Sequence, residues 1–382
     1  MKILFIFGTR PEAIKLAPVI KEMRKFPRKI DLRVCVTSQH LEMLRQVMRF
    51  FKIEPDFDLK IMERGQSLFD ITAKAFARLE KVLRAFKPDL VIVQGDTTSA
   101  FVGALSGFYV KARVAHVEAG LRSGDKYSPF PEEINRKLTS GIADLHFAPT
   151  AGARKNLLKE GVLKNIFVTG NTVVDALRES ALRIEKDARL RSALDRGLVR
   201  MIGNAWQDKT ARFILVTAHR RENFGGALEN ICAALKVLAR NNPGVHIVYP
   251  VHPNPNISLP VSRLLGDIKN IHLVKPMDYP HLVRLMSRCS FILTDSGGIQ
   301  EEAPSLGKPV LVMRGNTERP EAVAAGTAKL VGTGAAGIVA SAQRLLDSRR
   351  ALQSMANRKN PFGDGKAAAR IVKIILGASM PP

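Results

Sequence analysis

The stretch Phe291-Ile292-Leu293-Thr294-Asp295-Ser296-Gly297-Gly298-Ile299-Gln300-Glu301-Glu302 decides the fold of this chain. Its apolar start predicts a buried strand, and the glycine pair predicts a tight turn that opens a helix. Turns of this kind are typical of parallel sheets whose helices cross back over the faces. The stretch therefore predicts an α/β domain, and ligands of such domains bind beyond the carboxyl ends of the strands.

The same alternation of strand and helix repeats on both sides of this stretch. In the N-terminal half, short apolar runs predict strands at 3–7, 32–37, 90–94, 113–117 and 145–148, with helical patterns at 11–26, 66–86, 97–110 and 132–143. In the C-terminal half, further runs predict strands at 212–217, 246–250, 271–274, 291–294, 309–313 and 329–332. The two series predict two doubly wound parallel sheets.

Chain length and the break between the two series predict two domains. The chain has 382 residues, whereas a typical domain has about 100–200. A charge-rich helical region at 171–211 separates the series, so we place one Rossmann-like domain at 1–170 and another at 171–363. A last helix within about 364–382 is expected to pack back on the first domain. Two domains imply that they face each other across a cleft.

The composition is that of a globular protein with a large excess of positive charge. The hydrophobic fraction is 46%, and 59 Lys and Arg against 35 Asp and Glu give a net charge of +24. This charge favours anionic partners. With four Tyr, one Trp and no zinc-finger or RRM signature, we expect no nucleic-acid partner.

Cysteine usage and the apolar runs indicate an intracellular protein. Cys35, Cys232 and Cys289 are far apart in apolar contexts, so we interpret them as reduced core thiols of a cytoplasmic protein. The first apolar run, at 3–7, is too short for a signal peptide. No run approaches the roughly 20 residues of a membrane span, so we expect no membrane insertion.

The glycine turn after the strand 291–294 carries the strongest phosphate signal in the chain. Gly297 and Gly298 let the backbone approach a ligand, and free N–H groups at a helix start favour a diphosphate. Ser296 adds a hydroxyl donor. Glu302, about one to two turns into the helix, can accept both hydroxyls of a ribose. The turn therefore predicts a site for a nucleoside diphosphate.

Two further strand ends carry basic residues. The segment Gly8-Thr9-Arg10-Pro11-Glu12-Ala13-Ile14-Lys15 predicts a turn capped by Thr9, where Arg10 and Lys15 can meet a phosphate. Lys15 can equally solvate the helix. The segment Thr217-Ala218-His219-Arg220-Arg221-Glu222-Asn223 places a histidine and two arginines at another strand end, and His252 follows a third. The first turn lacks the glycines of a dinucleotide fingerprint, which argues against NAD.

Three carboxylates, Asp96, Glu118 and Glu132, follow strands or open a helix in the N-terminal half. Carboxylates near a phosphate site predict acid and base chemistry on a sugar. Asp96 can instead cap a helix, and for the neighbouring Glu133 we prefer that structural role. No His or Cys cluster has the spacing of a catalytic metal site, so we expect no metal.

Taken together, these motifs resemble those of the non-hydrolysing UDP-N-acetylglucosamine 2-epimerases over nearly the whole chain. The resemblance rests on segments that follow one another in order, at 8–15, 94–98, 116–122, 131–133, 218–222, 295–312 and 318–321. It implies a glycosyltransferase-B-like fold and reversible C2 epimerisation of UDP-GlcNAc to UDP-ManNAc, with no metal or nicotinamide cofactor. It also implies a homodimer that supplies ManNAc units for surface polysaccharides.

The resemblance assigns roles by position. It implies that the nucleotide and diphosphate are bound by Arg10, Lys15, His219, Ser296, Gly297, Gly298, Glu302 and Arg319. Catalysis is tied to Asp96, Glu118, Glu132 and His219, and Arg136 is a further candidate for a substrate contact. Met277 and Leu282 stand where many members have Gln and Phe near the uracil, and Gln39-His40-Leu41-Glu42 only partly matches the family's second substrate site.

Other functions stay open on the sequence. A hydrolysing epimerase that releases ManNAc and UDP, a GT-B glycosyltransferase and an enzyme for a diacetamido-uronic sugar share the architecture. A non-enzymatic binder that uses the +24 charge on nucleic acid or a membrane surface leaves the turn motifs unexplained. The first turn, at 8–15, favours the non-hydrolysing epimerase.

Overall fold

A computed structural model of the chain describes residues 1–38, 41–63, 65–220 and 223–377. The chain divides into two compact units, which we call the first and second domains. The first domain comprises Met1–Ala176 and the segment that begins at Phe362, and the second comprises Leu177–Pro361. Gln39, His40, Arg221 and Glu222, which belong to motifs of the sequence analysis, lie outside the described residues.

A seven-stranded parallel sheet forms the centre of the first domain. Its strands are β1 Lys2–Phe7, β2 Asp31–Val36, β3 Phe57–Asp58, β4 Leu90–Gln94, β5 Arg113–Val117, β6 Leu145–Ala148 and β7 Ile166–Val168. Their order is β3-β2-β1-β4-β5-β6-β7, and neighbours run parallel. The five predicted strands are confirmed. The two short edge strands, β3 and β7, were not predicted.

A six-stranded parallel sheet forms the centre of the second domain. Its strands are β8 Arg212–Thr217, β9 Val245–Pro250, β10 Ile271–Val274, β11 Phe291–Thr294, β12 Val310–Val312 and β13 Ala328–Leu330. Their order is β10-β9-β8-β11-β12-β13, again with parallel neighbours. All six predicted strands are confirmed, and with them the predicted class of two doubly wound α/β domains.

Helices connect the strands of both sheets. In chain order they are α1 Arg10–Met23, α2 Leu41–Phe51, α3 Leu68–Phe86, α4 Thr98–Tyr109, α5 Glu132–Ile142, α6 Ala151–Lys159, α7 Thr172–Lys186, α8 Ala188–Ile202, α9 Gly226–Asn241, α10 Pro255–Leu265, α11 Tyr279–Arg288, α12 Gly297–Glu302, α13 Pro320–Ala324, α14 Ala335–Asp347, α15 Arg349–Ala356 and α16 Ala367–Gly377. In the part of the chain that the structure describes, no helix combines the length and the apolar character needed to cross a membrane.

Burial of the apolar runs stabilises both sheets. In the first domain, β1 is buried from Ile3 to Phe7, and Val91 and Val93 of β4 pack in the same core. In the second domain, Ile214, Val216 and Leu293 lie in a second core. Each fully buried side chain of this kind contributes about 1.5–3 kcal/mol relative to its exposed state. Strands buried on both faces explain why continuous apolar runs predict them so well.

The three cysteines are buried and form no disulfide, as predicted. Burial raises the pKa of the Cys289 thiol to about 12. A thiol with so high a pKa is a poor nucleophile at neutral pH. The cysteines are therefore core residues.

The strand order reverses between β1 and β4 in the first sheet and between β8 and β11 in the second. At such a switch point the helices leave in opposite directions, and a crevice opens beyond the carboxyl ends of the strands. The turns that follow these four strands carry Arg10, Asp96, His219 and Ser296, whereas Glu118 follows the neighbouring strand β5. The topology therefore brings the motifs together in pairs, one pair in each domain.

Helix α16 belongs to the first domain although it follows the second in sequence. It packs against α1 and buries Ile371, Val372 and Ile375. The backbone N–H of Asn171 donates to the carbonyl of Phe362 over 2.7 Å, so the two chain segments that leave and re-enter the first domain are joined.

Candidate active site

The carboxylate of Glu12 holds the turn after β1. Thr9 is the N-cap of α1, as predicted, and Glu12 accepts from the backbone N–H groups of Thr9 over 2.7 Å and Gly8 over 3.1 Å. Thr97, in the turn after β4, donates its hydroxyl to Glu12 over 2.7 Å. The carboxyl group of Glu12 thus joins the two turns at the switch point, and burial raises its pKa to about 7.

Gly8 is required by the close approach of three chain segments. A Cβ at this position would overlap the hydroxyl oxygens of Thr37 and Ser99, which bond to each other over 2.8 Å. Because Gly8 has no side chain, α1 can begin directly at the carboxyl end of β1. Arg10, half-buried, occupies the first position of this helix.

Glu118 is the centre of a buried polar cluster at the end of β5. Lys15 of α1 pairs with its carboxylate over 2.5 Å, Asn171 donates over 3.0 Å, and Gln94 at the end of β4 donates as well. The alternative that Lys15 merely solvates its helix is therefore wrong. Glu118 adopts a φ of 67°, a strained conformation for a non-glycine residue that is often found at functional sites.

Asp96 follows β4 at the same end of the sheet as Glu118, because the ends of β4 and β5 are level, with Gln94 opposite Val117. Its carboxylate pairs with Arg136 of α5 over 2.6 Å, and Asn135 donates to its backbone carbonyl over 2.9 Å. These contacts hold the first turns of α5 against the end of β4. Glu132, half-buried, is the first residue of that helix.

The structure shows that neither Asp96 nor Glu133 caps a helix, as the sequence had suggested they could. Thr97, whose hydroxyl accepts from the N–H of Ala100, caps α4, so Asp96 does not. Glu133 is structural, but it accepts from the N–H groups of Ser123 and Gly124 rather than from its own helix. Burial tends to raise the pKa of Glu133, but these N–H groups and Arg136 hold it below its usual value.

In the second domain, Asp295 joins the turn after β11 to the turn after β8. The strands are level, with Thr294 opposite Thr217. The Asp295 carboxylate accepts from the backbone N–H groups of His219 and Arg220, each over 2.8 Å. His219 is therefore placed directly beside the glycine turn.

Basic side chains surround that glycine turn. A Cβ added at Gly297 would lie 3.6 Å from the Arg319 guanidinium and 3.7 Å from that of Arg220. One added at Gly298 would lie 3.9 Å from the Ser296 hydroxyl and 4.0 Å from the Glu302 carboxylate. The predicted diphosphate residues Ser296, Gly297, Gly298 and Arg319 and the predicted ribose residue Glu302 are thus brought together, with Arg220 in addition.

Each of these charged groups has a partner within the second domain. Arg319 pairs with the fully buried Glu301, and Arg220 pairs with Glu318 over 3.0 Å. Burial tends to raise the pKa of Glu318, but Arg220 and two other arginines lower it below its usual value. Tyr279 donates its hydroxyl to Glu302 over 3.1 Å. These pairs fix the side chains before any ligand binds.

The residues near the expected uracil position lie around the start of α11. Met277 is buried in the loop before the helix, and Leu282 is half-buried within it. His252, exposed, stacks on His219 with ring centroids 6.2 Å apart.

Comparison with known proteins matches the chain to a family. The family model described as UDP-N-acetylglucosamine 2-epimerase matches residues 21–376. The chain belongs to that family. Curated UDP-N-acetylglucosamine 2-epimerases are similar to it over 376 residues and 98% of both chains, at 54% identity for Yersinia pestis and 51% for Escherichia coli K12.

Solved structures of the family share the fold. UDP-GlcNAc 2-epimerase from Neisseria meningitidis, crystallised bound to UDP-GlcNAc, is 48% identical with a TM-score of 0.92, covering 99% of this chain and 100% of that chain. The glycosyltransferase-B-like architecture and the family resemblance predicted from sequence are therefore confirmed.

Sequence reasoning missed several residues that organise this epimerase-family site. Gln94 and Asn171 bond to Glu118, and His116, which is fully buried, bonds to the carbonyl of Gly95 over 2.7 Å. Burial lowers the pKa of His116 to about 3. A neutral His116 donates Nε2–H to that carbonyl and supports the turn that carries Asp96. The only feature of the sequence that could have identified His116 is its position near the end of a predicted strand.

Proposed function

We propose that this chain interconverts UDP-GlcNAc and UDP-ManNAc by inverting C2 of the sugar, without releasing free ManNAc. The observation that supports this proposal is the grouping of Glu118 and Asp96 at one sheet edge, with Glu132 on the helix that Asp96 anchors. Two carboxylates on opposite sides of a carbon atom can remove a proton and return one.

The proposed reaction proceeds by elimination and re-addition. The C2 proton is not next to a carbonyl group, so its direct removal at neutral pH is very slow. Cleavage of the C1–O bond places positive charge on C1, which acidifies C2–H. A carboxylate then takes the C2 proton, giving 2-acetamidoglucal and UDP. UDP adds back to C1 while a proton arrives on the other face of C2.

We assign binding of the UDP leaving group mainly to residues of the second domain. In the proposal, His219 and the N–H groups at Ser296–Gly298 stabilise the negative charge that develops on the diphosphate, together with Arg10 of the first domain. Glu302, positioned by Tyr279, accepts the ribose hydroxyls. Lys15 and Arg136 are each 2.5–2.6 Å from a proposed catalytic carboxylate, so we assign them to holding these groups as well as to substrate contact.

The mechanism predicts exchange of the C2 proton with solvent. A proton NMR time course of UDP-GlcNAc with the enzyme in D2O is expected to show UDP-ManNAc, with loss of the C2 proton signal from both sugars. Product that retains the original C2 proton would contradict the elimination scheme.

The same time course separates the related enzymes. Stoichiometric free UDP and ManNAc identify a hydrolysing epimerase. Release of UDP only after an acceptor sugar is added identifies a transferase, and turnover of a diacetamido-uronic sugar nucleotide in place of UDP-GlcNAc identifies the third alternative.

We also propose that the enzyme is a cytoplasmic homodimer that supplies ManNAc units for polysaccharide synthesis. Exposed aromatic side chains at the end of α4 support the dimer: Phe108 and Tyr109 are 61% and 67% exposed, and their ring centroids lie 6.3 Å apart. Large exposed apolar patches on folded proteins mark interaction surfaces. A second copy of the chain is the occupant that this proposal assigns to this surface.

Substitution of Phe108 is expected to separate the subunits. Sedimentation velocity of Phe108→Glu is expected to give the monomer mass where the unsubstituted protein gives twice that mass. Leu259→Glu is the matched control, because Leu259 is 68% exposed in the second domain. An unsubstituted protein that sediments as a monomer would exclude the dimer.

A further inference from the structure

Asp295 is a buried carboxylate that follows β11 and precedes the glycine turn, and its side chain is 0% exposed. One oxygen, Oδ2, accepts from the backbone N–H groups of His219 and Arg220, each over 2.8 Å, and from the Asn223 amide over 3.0 Å. Three donors to one oxygen fix the orientation of the carboxylate. They account for its structural role completely.

The second oxygen, Oδ1, points at the imidazole of His219. It lies 3.4 Å from His219 Nδ1 and, among the described residues, it accepts no hydrogen bond within normal geometry. A buried carboxylate oxygen without a donor is costly, so an N–H at Nδ1 is favoured there. Catalytic hydrogen bonds are often long in ligand-free structures and shorten when substrate binds.

The side chain of His219 is packed on one face of its ring and partly exposed. His252 covers one face of the ring, nearly parallel at 15°. The side chain of His219 is still 45% exposed. With Nδ1 directed at Asp295, Nε2 is the nitrogen on the other side of the ring.

We propose that Asp295 is a positioning residue that holds His219 in the Nδ1–H tautomer, with Nε2 directed to the diphosphate of the substrate. The catalytic consequence rests on the function proposed above, whereas the tautomer does not. In this arrangement Nε2 is the nitrogen that takes up a proton from solvent; protonated His219 then donates an Nε2–H hydrogen bond to the departing UDP, while its Nδ1–H remains directed at Asp295. Asp295 itself exchanges no proton.

The variant Asp295→Asn separates the structural role of Oδ2 from the contact of Oδ1 with His219. The amide oxygen of asparagine satisfies the three donors at the Oδ2 position, which places its NH2 group opposite His219 Nδ1. Because two donors cannot face each other, Nδ1 must then present its lone pair. The neutral ring is therefore expected to change to the Nε2–H tautomer, with little change in side-chain volume.

Heteronuclear NMR of protein labelled with nitrogen-15 histidine tests the tautomer directly. The His219 signals are assigned by their loss in His219→Gln, and spectra are recorded at alkaline pH where the ring is neutral. The expected result is Nδ1–H in the unsubstituted protein and Nε2–H in Asp295→Asn. An Nε2–H tautomer in the unsubstituted protein overturns the proposal, whatever the variant does and whether or not it folds.

Kinetics test the consequence for catalysis. Loss of the correct histidine tautomer reduces turnover by about 10⁴-fold in serine proteases, and a positioned acid or base contributes about 10²–10⁴-fold. We therefore expect kcat of Asp295→Asn to fall by about 10²–10⁴-fold. KM and the affinity for UDP are expected to stay within about threefold. An unchanged kcat with weakened UDP binding would show that Asp295 only shapes the turn, and would overturn the proposal.

Asp175→Asn is the matched control for removing a buried charge. Asp175 is buried in the first domain and accepts from the N–H of Ala368 over 2.9 Å. This variant is expected to change thermal stability but not kcat or the His219 spectrum.

If the unsubstituted protein has no epimerase activity, the proposed function fails and the NMR result still decides the tautomer. If it is active and Asp295→Asn matches it in both measurements, the inference alone fails.

Discussion

Replacement of Glu118 by glutamine is expected to lower epimerase turnover by about 10²–10⁴-fold, the contribution of a positioned acid or base. Glutamine keeps the volume of the side chain and one oxygen for Lys15 or Asn171, but it cannot take up a proton. The affinity for UDP, measured by calorimetry, is expected to stay within about threefold. Turnover is measured by the NMR time course in D2O.

The same variant distinguishes chemistry from positioning at this site. If Glu118 acts only by holding Lys15, then Lys15→Met is expected to reproduce the whole effect of Glu118→Gln. If Glu118 transfers the proton, Glu118→Gln is expected to lose C2 exchange far more completely than Lys15→Met. Turnover of Glu118→Gln above about a tenth of normal, which is 1.4 kcal/mol of barrier, would move the acid and base roles to Asp96 and Glu132.

Replacement of Arg319 by alanine is expected to destabilise the second domain by about 3–5 kcal/mol, because it leaves a buried charge without its partner. The Arg319 side chain is 9% exposed and that of its partner, Glu301, is 0% exposed. Denaturant unfolding followed by circular dichroism measures the loss. A change below about 1 kcal/mol, the value of an exposed pair, would contradict the buried pairing.

A double variant separates this structural role from ligand binding. Glu301→Gln removes the buried charge, so Arg319→Ala combined with Glu301→Gln is expected to recover much of the lost stability. If Arg319 also binds the diphosphate, UDP affinity stays low in the stable double variant. Recovery of UDP affinity together with stability would show that Arg319 supports the glycine turn only through Glu301.

Local sequence patterns predicted the two sheets because parallel strands that are buried on both faces consist of consecutive apolar residues. The runs at 90–94 and 291–294 match β4 and β11 to the residue. The short edge strand Phe57–Asp58 has a charged residue and no apolar run, and Ile166–Val168 is only three residues long. Such strands depend on pairing with a neighbour, which a local pattern does not encode.

The site was predictable where function depends on one turn and unpredictable where it depends on distant partners. Gly297 and Ser296 could be identified because a strand, a glycine pair and a helix adjoin in sequence. The contact of Asn171 with Glu118 spans 53 positions, and that of Asp295 with His219 spans 76. Nothing in the sequence near either residue specifies these pairings, since they depend on the order of the strands.

Because α16 belongs to the first domain, that domain can be completed only after the second domain has been synthesised. The second domain is encoded by one uninterrupted stretch, Leu177–Pro361, whereas the first is encoded on both sides of it. A ribosome therefore delivers every residue of the second domain before it delivers Ile371 and Val372, which complete the packing against α1. Until those residues emerge, the surface of α1 that α16 covers in the folded protein lacks this covering.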